Sequence, residues 1–482
     1  MGQADFLYNS FRSHLKYEPT PCQDNFLRTV SLFAGGDDDI MVVNGYAGTG
    51  KTTAVSAVVN TFNELKIKTV LLAPTGRAAK VLSNYSARPA YTIHKHIYRQ
   101  KSVGGDGGFG QFSLAPNKDK DTLFVVDEVS LIGIESGSGN GSTSFGTGNL
   151  LDDLVNFVRS GVDCKLILIG DSAQLPPVGM DCSPALSREY MAMMGGTVFC
   201  TLTTVVRQGS ESGILANATR LREMITSSEY GGDMFEYEEV GLNVRDFSDI
   251  SRIGGGELIE SLTDAYSKYG EDETVILCRS NKRAVKYNLG VRGMVQFKED
   301  RLVRGDKLMI VKNCYQFCND LEGVDYIANG DIAKLLRISG YEDRYGLHFA
   351  SARLLLPDYG EQEFTAKVIL DTLDSESASL TPEQQNQLYT GVDADYSHIT
   401  TKRKRWEAVR EDPYYNALQL KYAEALTCHK SQGGQWKCVF VDNAFWQDGL
   451  STDDLKWLYT ALTRAVERVY LVNFKDEMFI KG

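Results

Sequence analysis

Seven short aliphatic and β-branched runs, at 40–43, 70–73, 123–126, 166–169, 275–278, 439–441 and 469–472, recur along the chain with helix-length stretches between them. No charge interrupts any of them, so both faces of each strand need covering. That is the condition of a parallel sheet held between helical layers. Four runs precede residue 200 and three follow residue 270, so the pattern predicts an α/β protein with two sheet cores in tandem. No period of 20–50 residues repeats, which sets solenoids and propellers aside.

Three segments depart from this texture. Residues 101–120, KSVGGDGGFGQFSLAPNKDK, are Gly-rich and polar and read as a β-hairpin projecting from the first core. Residues 136–149, SGSGNGSTSFGTGN, read as a mobile loop. Residues 297–420 carry β-like pieces at 307–311, 331–336, 352–356 and 365–370 and then a polar helical stretch at 382–410. An inserted small β-domain with a helical arm is expected there. The expected division is 1–100 with 119–240 for the first core, 101–118 for the hairpin, 241–296 with 421–482 for the second core, and 297–420 for the insert.

Composition narrows the setting. No apolar run approaches the ~18–20 residues that a membrane helix needs, and the N-terminal MGQADFLYNSFRSHLKYEP has no apolar core, so neither a span nor a signal peptide is expected. Nine scattered cysteines, an odd number without a CxxC pair, suit reduced thiols in a cytoplasmic setting. The 51 basic against 63 acidic residues, a net charge of −12, argue against a protein that coats nucleic acid. A narrow basic channel remains compatible with that sum.

Chemistry concentrates first at GYAGTGKT, residues 45–52, between a buried strand and a helix-like stretch. Glycines let backbone N–H groups close around phosphates. Lys51 would reach the terminal phosphates and the Thr52 hydroxyl would ligate Mg²⁺, with Gly48, Thr49, Gly50 and Thr53 completing the cradle. Asp127 and Glu128 end the LFVVDE strand, and two adjacent carboxylates there are costly without a cation. Asp127 would hold Mg²⁺, directly or through water, and Glu128 would polarise an attacking water. Gln174, in the proline-stiffened GDSAQLPP loop, is placed to touch a γ-phosphate.

GYAGTGKTT, LLAPTGRAAKVL, TIHK, VVDEVS, GDSAQLPPV, LTTVVRQ, LTCHKSQGGQW and YTALTRA follow one another in this order. In wording and order they resemble the motifs of superfamily 1 helicases, above all the RecD-like and phage Dda-like helicases of its 1B branch. The resemblance runs from about residue 20 to residue 472. It implies two RecA-like cores that hydrolyse ATP with Mg²⁺ between them, movement on single-stranded DNA from 5′ to 3′, and unwinding at single-strand/duplex junctions. A monomer is expected, with replication or repair proteins as partners; a protein-displacing translocase and a motor subunit of a recombination complex are the alternatives.

The resemblance also assigns roles. Gln23 would read the adenine edge, and Arg207 and Arg464 would be arginine fingers, a role suited to a planar guanidinium. Gln432 and Gly433 would face the nucleotide. Pro74, Thr75, Arg77, Thr92 and His94 would grip the strand from the first core, and Thr427, His429 and Lys430 from the second. The 101–120 segment would be the strand-splitting pin, with Phe109 or Phe112 stacking on the first base pair, braced by an SH3-like insert. Gln435 departs from the Glu frequent at its position in RecD-like sequences.

Overall fold

The computed structural model describes residues 2–100, 111–134, 144–206, 211–228, 234–318, 321–322, 324 and 326–481. The first four apolar runs form a parallel sheet with two strands not expected from the sequence. Its order is Ala90–Thr92, Lys68–Ala73, Thr122–Val126, Lys165–Gly170, Ile40–Gly45 and Thr197–Leu202. Alternation in each strand feeds two cores. Met41, Val43, Leu71, Val125 and Ile167 join Phe11, Phe26 and Val58 of the helices on one face. Ile40, Val42, Leu72, Phe124 and Leu168 join Leu154 and Val158 on the other.

The second parallel sheet runs Ile250–Ile253, Ala465–Val472, Trp436–Asp442, Thr274–Cys278 and Ala425–Thr427. Residues 213–228 and 234–240, expected with the first core, pack with this one instead. The helix Gly213–Ser227 buries Ile214, Ala218, Leu221 and Ile225 in the cluster that holds Leu455, Leu458 and Val469. Met234–Phe235 pairs with Leu450–Ser451. An apolar helix face has to be buried somewhere, and the larger complementary surface lies on the second sheet.

The insert forms a closed barrel of Lys307–Ile310, Ile332–Arg344, Leu347–Leu356, Gln362–Ile369 and Leu418–Tyr422 around Leu308, Leu335, Leu354 and Val368. Its last strand runs to Tyr422, two residues past the expected boundary. The helices Pro382–Asp395 and Lys402–Glu411 close the outer end of the long hairpin through Leu388, Val392 and Val409 against Leu347 and Phe349. A strand pair is found here, Tyr98–Gln100 with Gln111–Leu114, its first strand lying ahead of the expected 101–120 segment, while 101–110 lie outside the described residues. Residues 144–149, expected within a mobile loop, are ordered into this small sheet: Ser144–Phe145 pairs with Gln111–Leu114 because the Phe145 ring has an apolar partner in Phe112.

Candidate nucleotide and nucleic-acid site

Strand Ile40–Gly45 ends in a loop whose Gly48 and Gly50 both sit at φ +73, left-handed backbone that L side chains rarely adopt. The loop feeds the helix Lys51–Glu64, so unpaired first-turn N–H groups face the loop. Lys51 Nζ donates to the Gly45 carbonyl and lies 3.8 Å from Asp171. Gln23 is buried and fully engaged. Its Oε1 accepts from Thr20 N at 2.9 Å, and its Nε2 donates to the carbonyls of Thr49 and Gly50 at 3.1 and 3.4 Å. A cavity of ≈ 990 Å³ opens beside these groups, lined by Tyr17, Thr20, Gln23, Gly50, Thr52, Thr53, Asn60, Tyr85 and Val206 among others. It is large enough for a nucleoside with its phosphates.

Across the loop, Asp127 accepts from the Tyr85 hydroxyl and, at 2.8 Å, from the Glu128 N–H. Burial and the Asp127 charge hold the Tyr85 phenol far above its ordinary value. Glu128 adopts left-handed backbone at φ 55, a strain that functional sites retain. Burial raises its carboxyl above the usual range; Arg464 and Lys51 oppose that shift and Asp127 and Asp171 add to it. A carboxyl in such a field is a suitable proton acceptor.

The second core closes this site. Arg464 is buried, with Nη1 at 3.9 Å from Glu128 and at 3.3 Å from the Gly434 carbonyl. Arg464 Nε and Gln174 Oε1 are buried without a hydrogen-bond partner among the described residues. A cationic donor and an amide acceptor left open at one seam match an anionic oxygen and a water, which is the requirement of a triphosphate terminus. Thr52, exposed, and Asp127, already accepting two hydrogen bonds, fit a hydrated Mg²⁺ better than a directly chelated one. Arg207 lies outside the described residues.

Several seam residues were not anticipated. Tyr459 accepts the Ala47 N–H at 2.8 Å and donates to Asp171 at 2.6 Å, so one phenol of the second core ties two loops of the first. Burial and the Asp171 charge keep that phenol protonated. Thr460 accepts from Leu175 N at 2.8 Å, and Gln432 Nε2 donates to the Leu175 carbonyl at 2.7 Å. Gln432 thus grips the loop that presents Gln174. Gly433, at φ +75, packs so closely that a Cβ would come 2.9 Å from Ala78. Tyr459 and Thr460 stood in the YTALTRA motif, but no pattern there says which helix face meets the other core.

The residues expected on the strand divide into those with no capping or packing role among the described residues and those used in capping or packing. Thr427 ends strand Ala425–Thr427 and makes no side-chain cap bond, whereas Thr75 and Thr92 cap their helices by accepting from Ala78 N and Lys95 N. His429 and Lys430 are exposed at their tips, with Lys430 donating to Asn329 at 2.7 Å. The protein packed around their stems displaces water and lowers both side chains' affinity for protons, and the Arg279 and Lys430 charges add to this at His429. Pro74 precedes the Thr75 cap. Arg77, expected on DNA, is half-buried with its guanidinium 3.9 Å over the Trp436 ring, because that flat face of the second core suits a guanidinium. Phe112, expected to stack on a base pair, is 7% exposed and packs on Phe145 at 4.7 Å and Tyr315 at 5.5 Å. His94 joins the same group at 4.9 Å from Phe145, and burial pushes it down to about 4. Phe109 lies outside the described residues.

Comparison with known proteins returns consistent relatives. A family model described as an AAA domain matches residues 23–229, and one described as a UvrD-like helicase C-terminal domain matches 422–472. The chain is 26% identical over 434 residues to the ATP-dependent RecD2 DNA helicase of Deinococcus radiodurans, covering 89% of this chain but 46% of that one. It is 23% identical over 442 residues to the ATP-dependent DNA helicase dda of Enterobacteria phage T4, covering 84% and 87%. The chain therefore spans less than half the length of RecD2 and close to the full length of dda. Among solved structures, a Bacteroides Pif1 helicase in complex with ADP-AlF3 and ssDNA aligns over 97% of this chain and 95% of its own, at 15% identity and a TM-score of 0.46. Among the described residues no helix is long and apolar enough to cross a membrane.

Proposed function

We propose, taking the chain as a superfamily 1B helicase of the RecD-like and Dda-like kind, that it hydrolyses ATP between its two cores to move along single-stranded DNA and unwind duplex. The observation that carries this reading is the seam. Arg464 from one core stands 3.9 Å from Glu128 of the other, beside a loop built for phosphates, with Arg464 Nε and Gln174 Oε1 open. Neither core holds the whole set.

In this reading Lys51 leaves the Gly45 carbonyl for the terminal phosphates, and the Lys51–Glu64 helix end adds N–H donors. Glu128 takes a proton from the attacking water while Gln174 orients it. Arg464, joined by Arg207, meets the charge that spreads over the transferring phosphoryl group. Mg²⁺, held by Thr52 and through water by Asp127, supplies charge neutralisation at the phosphates. Opening and closing of the Tyr459 and Gln432 contacts shifts the grip between Thr75 on one sheet and Thr427 and His429 on the other. Movement runs 5′ to 3′, and the barrel braces the 98–114 hairpin through Tyr315. A monomer acting on single-stranded DNA and its junctions, within replication or repair in the cytoplasm, completes the proposal.

The burial of Phe112 favours a second reading, a translocase that displaces bound proteins and separates strands poorly, because one of the two wedge candidates is used in packing. Strand separation on duplexes with a 5′ or a 3′ single-stranded tail, with and without ATP, tests both. ATP-dependent separation from the 5′ tail is expected. DNA-stimulated hydrolysis without separation would select the translocase, and turnover indifferent to single strands would sink the motor.

A further inference from the structure

The strongest concentration of positive charge lies far from the nucleotide seam. Lys402, Arg403, Lys404 and Arg405 follow one another at the start of the helix Lys402–Glu411, in a chain whose net charge is −12. Arg403 pairs with Glu407 at 3.0 Å and Arg405 with Asp393 at 3.0 Å. Lys402 and Lys404 are exposed and have no partner among the described residues. The placement is unfavourable for the helix itself. A helix N-terminus carries partial positive charge and prefers acids, yet the first turn here holds none, and Thr401 makes no side-chain cap bond. Glu407 and Asp393 answer two of the four cations and nothing among the described residues answers Lys402 and Lys404, so a polyanion is their natural complement.

The other end of this helix fixes where that polyanion would lie. Gln316 donates to the Glu411 carbonyl, and its neighbour Tyr315 packs on Phe112 and Phe145 beside the paired strands Tyr98–Gln100 and Gln111–Leu114. The C-terminal end of the helix is thus anchored beside these strands, and its cations stand at the opposite end, roughly 15 Å along the helix axis at 1.5 Å per residue. Along B-form DNA that is a reach of about four base pairs at 3.4 Å. Trp406 offers no free stacking platform on the face that Arg410 covers at 4.4 Å, which favours backbone contact over base stacking.

We infer that the basic N-terminal turn of the Lys402–Glu411 helix grips the phosphate backbone of the duplex arm ahead of the junction. This inference rests on the motor reading for the junction's position at the hairpin. The test compares the full chain with a Lys402→Gln/Lys404→Gln double variant, two exposed residues whose loss leaves the fold intact, and with a Lys402→Arg/Lys404→Arg control. Binding is measured by anisotropy on forked DNA with a duplex arm and on a single-stranded oligonucleotide, across a salt series. The double Gln variant should bind the fork about three- to tenfold more weakly, with a salt slope shallower by about 1.8 for two lost phosphate contacts. Its affinity for the single strand and its DNA-stimulated turnover should not change, and the Arg control should bind as the parent does. An equal loss on the single strand would overturn the inference by putting these cations on the strand track. An unchanged fork affinity would overturn it too, leaving the turn to an acidic protein. A parent chain whose turnover ignores single strands defeats the motor reading alone, because the fork comparison is read without ATP.

Discussion

Tyr459→Phe isolates the link between the two cores. Phenylalanine fills the same buried volume, at a site 1% exposed, so the packing change is small. What disappears is the oxygen that accepts the Ala47 N–H at 2.8 Å and donates to Asp171 at 2.6 Å. Asp171 keeps its bond from Ala173 N at 3.0 Å, while Ala47 N–H loses its partner. A buried group left unmet costs about 1–3 kcal/mol, so the closed seam should weaken by about 2 kcal/mol, roughly 30-fold in population. Tyr459 does not line the cavity beside Gln23, so nucleotide affinity should stay within about twofold, as a fluorescent nucleotide titration would read. Steady-state hydrolysis on saturating single-stranded DNA should show kcat lower by at least about tenfold. A kcat within about twofold of the parent would refute the claim that closure runs through this phenol.

Lys51→Ala should abolish hydrolysis while leaving a folded chain by circular dichroism, and retained turnover would remove the phosphate assignment. Arg464→Ala should spare nucleotide binding and stop turnover; loss of binding alone would contradict its role across the seam. His94, pushed down to about 4 by burial, binds its proton more weakly folded than unfolded. Its contribution to stability is therefore complete above the unfolded value near 6.5 and declines as pH falls from there toward 4, by about 2 kcal/mol at pH 5. Urea transitions at pH 7 and pH 5 should converge in His94→Gln relative to the parent, and an unchanged difference would place the acid sensitivity elsewhere.

The strands at the middle of each sheet were legible because burial on both faces demands unbroken apolar runs. Four others were not. Ala90–Thr92 and Ala425–Thr427 are three residues long, and Ile250–Ile253 and Thr197–Leu202 are edge strands whose outward positions stay polar or half-exposed. The phosphate loop and the acids at 127–128 stood out in the sequence because each needs a fixed residue type at a strand end or turn, whereas Arg464 came only from the family resemblance, and the structure sets it 3.9 Å from Glu128. Arg77 and Phe112 misled for one reason: a cation or an aromatic beside a binding surface is equally suited to packing, and only the other core's Trp436 or the barrel's Tyr315 decides between the two. The placement of Gly213–Ser227 on the second core was hidden likewise, since an amphipathic helix does not announce which surface covers it.

Those cross-core contacts also bear on how the proposed motor could be both firmly assembled and able to cycle. The Gly213–Ser227 helix is joined to the second core by fully apolar side chains such as Leu221, which water cannot replace. The seam is mixed: Tyr46, Ala173 and Leu175 of the first core join the same apolar cluster, and polar contacts run beside them. Ala47 to Tyr459, Tyr459 to Asp171, Leu175 to Thr460 and Gln432 to Leu175 are hydrogen bonds that water can take over on opening. At about 0.5–1.5 kcal/mol net each, they hold closure by roughly 2–6 kcal/mol. Turning a two-state equilibrium from mostly open to mostly closed takes about 5.5 kcal/mol of differential binding. A ligand that also satisfies Arg464 Nε and Gln174 Oε1 adds interactions existing only when the cores are closed. In the proposed motor these hydrogen bonds are the part of the seam that one nucleotide would switch, beside the apolar contact at Tyr46, Ala173 and Leu175.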